Sequence, residues 1–545
     1  MKTAPSRPLT SFKVLVIDDQ QQMRQIIRES LYRLGIRQVV MAGNAKEALK
    51  AMQAENVDVV LSDYNLGEGT DGQQLLEAAR GANILSPVAP WIFITANSLR
   101  TDVLAAGDYT PDGYIVKPFA DQLLARYIET LAARKGMLAP LLHAVDAKQW
   151  DEVLQVAESF VRRADALSVE GLKQKAHALM KLGRFEEALS ACDHALGMNS
   201  ELPWARLGRA HALRATGQIA QARTVLEELI EQQPDYASAY DALLEIVEEQ
   251  GDQDAALATA QAVADLVPNA KRKIRLGAVA LDGGHSEVAV KALEQAVAKN
   301  RKSVTRSHHE NVLLAQALID SGDPKKALVV GAEVAKQFPD LPEAQVLSKA
   351  VCAQAHQQTG NAAEAAALMA EVERTLGDTP LPDAHKLLIA KSALATGRLE
   401  VGKELIEAVA RNNSDRPLMV AAALRAAQGT PVEGACQAIV ARAGNELQQA
   451  LRDLQQAKRE GDFARAIGVG EASLALSPTN FTVQMELCTL YLVAMSRLGD
   501  AERHAARARE LLATLEERYP EHNRVAAAHK FYRERMAAAP AGACA

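Results

Sequence analysis

KVLVIDD, residues 13–19, decides the first reading: a short apolar run ends directly in two adjacent carboxylates. A run of this length and β-branched content reads as a buried strand. The same grammar recurs three times. VDVVL at 57–61 stands just before Asp63, WIFI at 91–94 runs into Thr95, and GYIV at 113–116 contains Tyr114 and runs into Lys117-Pro118. Between these runs the period changes. Met23, Ile26, Ile27, Leu31 and Leu34 recur at helical spacing over 20–34, and RQVV at 37–40 supplies one more strand. AKEALKAMQ at 45–53 reads as a helix capped by Asn44, DGQQLLEAAR at 71–80 opens a third helix, and another runs from about 120 to 134. Five strand–helix units predict an α/β doubly wound, five-stranded parallel sheet with helices on both faces.

In such a sheet the carboxyl ends of the strands share one edge, where ligands bind. Asp18, Asp19, Asp63, Thr95, Tyr114 and Lys117 are therefore expected to meet. Taken singly, each has an ordinary reading: Asp18-Asp19 or Thr95 as helix caps, Tyr114 as sheet packing, Lys117 as a solvated charge. Together at matching strand ends they make a site. Three carboxylates in one small space repel one another, and a hard divalent cation such as Mg²⁺ relieves that repulsion. Asp63 can then act as a nucleophile toward a phosphoryl group. Lys117 supplies positive charge to the phosphoryl oxygens, and Thr95 a hydroxyl donor. Pro118 restricts the backbone before it and helps to aim Lys117.

VLVIDDQ at 14–20, LSDYNLGEGTDG at 61–72, FITA at 93–96 and DGYIVKPF at 112–119 together resemble the receiver domain of two-component response regulators, over about residues 12–134. The resemblance implies Asp63 as phosphoacceptor. It implies Mg²⁺ held by Asp18, Asp19, Asp63 and the backbone carbonyl of Asn65. Thr95 is similar to the hydroxyl residue that moves toward the phosphoryl group, Tyr114 to the aromatic that changes rotamer with it, and Lys117 to the lysine that holds a phosphoryl oxygen. The donor implied is a sensor histidine kinase, a phosphotransfer protein or a small-molecule phosphate. One departure stands out. After Asp63 the loop carries Gly67 where the family has proline, and one extra residue before Asp71-Gly72.

From about residue 142 the strands vanish. A Gly-polar step recurs at Gly183, Gly217, Gly251, Gly284, Gly322, Gly360, Gly397, Gly461 and Gly499, first at 34-residue intervals and later at 37–38. Alanine follows five residues after most of these glycines, at Ala188, Ala222, Ala256, Ala289, Ala327, Ala365 and Ala466. Proline at 234, 268, 339 and 478 is placed to end the second helix of a pair. A 34-residue helix–turn–helix period resembles tetratricopeptide repeats, degenerate in the middle. WDEVLQVAESFV at 150–161 resembles the second helix of an earlier repeat, with Trp150 in the place of Phe185. Stacked repeats make an all-α superhelical solenoid whose groove takes a protein partner. The expected organisation is a tail at 1–11, a receiver at 12–134, a short linker at 135–141, the array at 142–520, and a helix end with disordered tail at 521–545.

Net charge is −7, so bulk charge gives no reason to expect a nucleic-acid partner. Five cysteines stand without a CxxC pair, and no long apolar run suggests membrane insertion, so a cytoplasmic protein is expected. His308-His309 is an isolated pair on a helix and gives no expectation of a metal site. No second catalytic cluster is visible, so no independent enzyme is expected. The sequence thus points to a response regulator that is charged on Asp63 and signals through protein–protein contacts. The alternatives are an uncharged scaffold or dimerisation module, and a phosphate sink. Pairing into a homodimer through the fourth-helix and fifth-strand face is a further expectation.

Overall fold

The computed structural model describes residues 8–67, 70–95, 110–163, 165, 167–301, 306–377, 379–498, 501–519 and 522–538. The first part alternates β1 (Lys13–Ile17), α1 (Gln21–Arg33), β2 (Gln38–Ala42), α2 (Ala45–Ala54), β3 (Val59–Asp63), α3 (Gly72–Gly81), β4 (Trp91–Thr95), β5 (Gly113–Val116) and α4 (Asp121–Met137). All strand pairs are parallel, in the order β2-β1-β3-β4-β5. Alternate side chains serve opposite faces. Leu15, Ile17 and Phe93 pack with Ala48 of α2 and Leu75 of α3. Val14, Val16 and Ile94 pack with Ile27 of α1 and Ile128 of α4. Both faces are covered, which is why the central strands read as unbroken apolar runs. Edge strand β2 is only half-buried, and its run reaches Ala42, two residues beyond the stretch its weaker pattern suggested.

Caps fix the helix starts. The Asn44 side chain accepts from the Glu47 amide, and Asp71 forms a capping box with Gln74. Within α1, Ile27 and Leu31 are buried, whereas Ile26 is turned outward and exposed; two adjacent helical positions cannot both face the sheet.

The stretch read as a linker at 135–141 is helical. α4 continues to Met137, and α5 (Ala139–Asp146) begins two residues later and pairs with α6 (Trp150–Val161). Helical pairs then follow: α7 (Ser168–Lys181) with α8 (Phe185–Met198), α9 (Pro203–Ala215) with α10 (Ile219–Gln232), and α11 (Ala237–Gln250) with α12 (Gln253–Leu266). Next come α13 (Ala270–Gly283) with α14 (Ser286–Asn300), α15 (His308–Asp320) with α16 (Pro324–Gln337), α17 (Pro342–Gln358) with α18 (Ala362–Leu376), and α19 (Asp383–Ala395) with α20 (Leu399–Asn412). The last helices are α21 (Pro417–Ala427), α22 (Glu433–Glu460), α23 (Phe463–Leu476), α24 (Phe481–Arg497), α25 (Ala501–Arg518) and α26 (Asn523–Ala538).

Every step glycine from Gly183 to Gly461 has positive φ, the left-handed conformation that ends a helix without a Cβ clash. The step at Gly499 lies outside the described residues. The alanines that follow, from Ala188 to Ala466, are essentially inaccessible, because there the two helices of a pair touch. α10, α12, α16 and α23 each stop two residues before their proline. The regular step fails between Gly397 and Gly461, where α22 runs for 28 residues. RDLQQAKRE at 452–460 is the end of that long helix.

The coil folds back on itself. α26 packs on α7, with Ala527 against Gly183, and α21 reaches across to α11 and α13. Residues 522–538, within the stretch read as a helix end leading into a tail, thus help to close the array; residues 539–545 lie outside the described ones. The concave side encloses a cavity of about 1720 Å³, lined largely by α7, α9, α11, α13, α15, α19 and α21.

Candidate functional site

The carboxyl edge of the sheet brings Asp18, Asp63 and Lys117 into contact. Lys117 Nζ donates to Asp18 Oδ2 at 3.0 Å and to Asp63 Oδ2 at 2.7 Å. Asp18 is buried, while Asp63 and Lys117 keep 15% of their side chains exposed, enough to leave the site open to solvent. Each residue is held by its own strand end. The second Asp18 oxygen accepts from the Gln20 amide, and the second Asp63 oxygen accepts from the Asn65 amide at 3.2 Å. The Lys117 amide donates to the Thr95 carbonyl at 2.7 Å, tying β5 to β4 at the edge. The Lys117-Pro118 bond is cis.

Asp19 is exposed beside the pocket, its carboxylate facing Gly67. Thr95 is buried at the end of β4. Tyr114 is half-buried, and its ring lies 5.9 Å from that of Phe93. The sheet therefore brings Asp18, Asp63 and Lys117 into direct contact, with Asn65 beside Asp63, and sets Asp19, Thr95 and Tyr114 on or just past the neighbouring strands. Residues 96–109, where the helix of the expected output face would fall, lie outside the described residues.

Electrostatics follow from burial. Desolvation raises the Asp18 carboxyl above its ordinary value, with the neighbouring Asp63 charge adding to it, against the pull of Lys117. Burial works against the Lys117 charge too, but its hydrogen bonds to Asp63 and Asp18 outweigh that, and its pKa is raised. One ammonium thus meets two carboxylates, with the exposed Asp19 carboxylate beside them, so the acids outnumber the lysine. Hard oxygen donors with excess negative charge suit a divalent cation such as Mg²⁺, so this donor set fits the cofactor expected of it.

Two supports carried no signal in the sequence reading. Arg24, in the first turn of α1, donates to the carbonyls of Asp18 at 2.6 Å and Asp19 at 3.2 Å, pinning the loop that carries both acids. A basic residue one helical turn after a DD pair is the pattern that would have found it. Gly72 allows close approach: a Cβ there would sit 2.4 Å from the Asp63 carbonyl oxygen and 2.8 Å from the Phe93 ring. Its amide donates to the Tyr64 carbonyl at 2.7 Å, which folds the loop after Asp63 back on itself.

That loop also meets the array. Tyr64, Asp71 and Gln74 border a cleft of about 310 Å³ whose other wall includes Asn269, Arg272, Asn300 and Glu310. Gln74 Nε2 donates to Asn300 Oδ1 at 3.4 Å. Nearer the junction, Arg134 of α4 pairs with Glu170 of α7.

Comparison with known proteins agrees with this architecture. Residues 14–129 match the family described as response regulator receiver domain, and residues 179–246 match the family described as tetratricopeptide repeat. The chain is 34% identical over 122 residues to the chemotaxis protein CheY of Pseudomonas aeruginosa, covering 97% of that protein and 22% of this one. It is also 34% identical over 120 residues to the chemotaxis protein CheY1 of Helicobacter pylori, covering 95% of it and 22% of this chain. Among solved structures, a receiver domain from Clostridium thermocellum aligns at 26% identity and a TM-score of 0.21, over 23% of this chain and 98% of that one. A tetratricopeptide repeat protein from Parabacteroides merdae aligns at 14% identity and a TM-score of 0.35, over 50% and 99%. The chain belongs to the response regulators: a CheY-like receiver domain fused to a tetratricopeptide array.

Proposed function

We propose that Asp63 accepts a phosphoryl group from a sensor histidine kinase or a phosphotransfer protein, and that this charge governs how the array engages a protein partner. The observation that carries the reading is Lys117, bridging Asp18 and Asp63 at 3.0 and 2.7 Å. An Asp63 oxygen forms the new bond to phosphorus as the bond from phosphorus to the donor imidazole breaks; the imidazole leaves with the electron pair and takes a proton from solvent. Lys117 then shifts its hydrogen bond from the carboxylate to a phosphoryl oxygen. Thr95 donates its hydroxyl to another, and Tyr114 follows in the space that Thr95 leaves. Asp18, Asp19, Asp63 and the Asn65 carbonyl would hold Mg²⁺, whose charge offsets that of the incoming group.

The loop after Asp63 gives the charge a way out. It runs through Tyr64 to the start of α3, where Asp71 and Gln74 face the array across the cleft. A phosphoryl group on Asp63 adds negative charge at the start of the loop that leads to that contact. The array supplies a protein-binding surface, in keeping with its repeat family.

Intact mass of the purified protein with acetyl phosphate and Mg²⁺ tests the reading. Wild type is expected to gain one phosphoryl group and D63A none. A gain that survives in D63A would place the chemistry elsewhere. Absence of a gain in wild type, repeated with phosphorylated kinase as donor, would favour the uncharged scaffold.

A further inference from the structure

The array contains a second cluster of ligand-type side chains that the phosphoryl site does not use. α15, α17 and α19 are the first helices of three successive pairs, and they lie side by side. Each presents a donor residue in its opening turn: His308 on α15, Glu343 on α17 and His385 on α19. One ligand atom from each of the three lies within 4.8 Å of the other two. His385 Nδ1 lies 2.7 Å from Glu343 Oε1, and His308 Nε2 lies 3.7 Å from Glu343 Oε2. His308 Nε2 is buried and has no hydrogen-bond partner. A buried polar atom left unsatisfied costs free energy, and a cation beside it would remove that cost.

We infer that His308, Glu343 and His385 form a binding site for a borderline divalent cation, Zn²⁺ by its chemistry, that staples three consecutive repeats. Two imidazole nitrogens and one carboxylate oxygen, with no thiolate, are a zinc-type donor set; Mg²⁺ and Ca²⁺ prefer oxygen alone. Water completes the coordination. His309 supports it from behind. Its Nδ1 lies 2.9 Å from His385 Nε2, within hydrogen-bond distance. In the tautomer in which His385 Nε2 donates to His309, the His385 Nδ1 lone pair faces the Glu343 carboxylate. Two acceptors 2.7 Å apart require a cation or a proton between them. The capping box of Ser307 and Glu310 sets the start of α15 and therefore the position of His308. The three helix N-termini oppose a cation, and the Glu343 charge offsets them.

The competing arrangement is a metal-free relay, with His309 donating to His385 and His385 donating to Glu343. It predicts no metal binding at all. The test uses untagged, full-length, metal-stripped protein titrated with Zn²⁺ against a chromophoric chelator. One tightly bound equivalent is expected, with a rise in the melting temperature that EDTA reverses. H308A and H385A should each lose the tight equivalent, and H309A should bind about 10–100-fold more weakly, as loss of an outer-shell partner does. Co²⁺ titration of wild type guards against variants that fail to fold: a visible d–d spectrum of a nitrogen–oxygen site supports the proposal. No Zn²⁺ equivalent and no Co²⁺ spectrum in wild type would overturn it, and so would zinc uptake that H308A and H385A leave unchanged. D63A leaves this readout untouched, so the phosphoryl reading can fail without it.

Discussion

The pocket around Asp63 and the cluster around Glu343 solve the same problem with different architectures. Each gathers side chains that are far apart in sequence. The parallel sheet does it at the carboxyl ends of strands, where Asp18, Asp63 and Lys117 converge across 99 residues of chain. The solenoid does it at helix N-termini, where the opening turns of successive first helices lie side by side and place His308 beside Glu343 and His385. The charges are balanced differently. In the sheet pocket a lysine compensates the acids and stays open to solvent on one side. In the cluster a single carboxylate faces imidazoles, and the missing positive charge has to come from outside. A sheet edge thus builds a site that exchanges ligands, while stacked helix starts build a clamp.

Removing the internal cation is the sharpest way to break that comparison. Lys117→Met leaves Asp18 and Asp63 facing each other with no counter-charge. Phosphorylation by acetyl phosphate is expected to fall by about 10²–10³-fold, the range seen when one group that stabilises transition-state charge is lost. Stability without Mg²⁺ is expected to drop by roughly 1–3 kcal/mol, less than for a fully buried pair because the pocket is open to solvent. Mg²⁺ should then raise the melting temperature of the variant more than that of wild type, since the ion takes the place of the ammonium. Equal shifts in both proteins would mean that lysine and metal do not share the site.

A smaller effect probes the loop after Asp63. Gly67 stands at the position where the receiver-domain resemblance implies proline, and its φ is +77°. Proline is confined to φ near −65°, so restoring the familiar residue is expected to harm the site. Gly67→Pro should cost about 1–3 kcal/mol and slow phosphorylation, with Gly67→Ala in between. A variant that gains stability would show that the loop is rebuilt around the proline. Chemical denaturation alongside the acetyl phosphate rate separates these outcomes.

Most of the sheet pocket was legible because strand ends announce themselves. VLVI before Asp18 and WIFI before Thr95 mark both the strand and the residue that leaves it. Asn44 and Asp71 were legible for a similar reason, since a cap must stand just before its helix. The glycine steps and the alanines after them carried the repeats. What failed had no local signature. β2 is an edge strand whose half-buried residues blur the pattern, and Ile26 obeys helical spacing while facing outward. α4 runs into the supposed linker as far as Met137, since a single Gly136 lowers helix propensity without ending the helix, and α5 takes up the rest from Ala139. The His308 cluster was hidden by phase: 308, 343 and 385 stand 14, 17 and 12 residues before the glycine steps at 322, 360 and 397, so no alignment of the repeats brings them into one column. Gln74 and Asn300 are 226 residues apart, and only the closed fold relates them.

That last contact gives the smallest expected effect, and it bears on whether the two regions talk at all. Gln74 Nε2 and Asn300 Oδ1 are 3.4 Å apart, a long bond between neutral groups at a half-buried cleft. Such a bond is worth about 0.5 kcal/mol. A double-mutant cycle with Gln74→Ala and Asn300→Ala should therefore give a coupling of about 0.5 kcal/mol in the resting protein. Charging Asp63 alters the loop that carries Gln74, so the coupling should change once acetyl phosphate is added, whereas in D63A it should stay fixed. A cycle that is additive in both states would leave the receiver and the array as neighbours without a shared equilibrium, and the signal would then have to leave through the opposite face of the sheet.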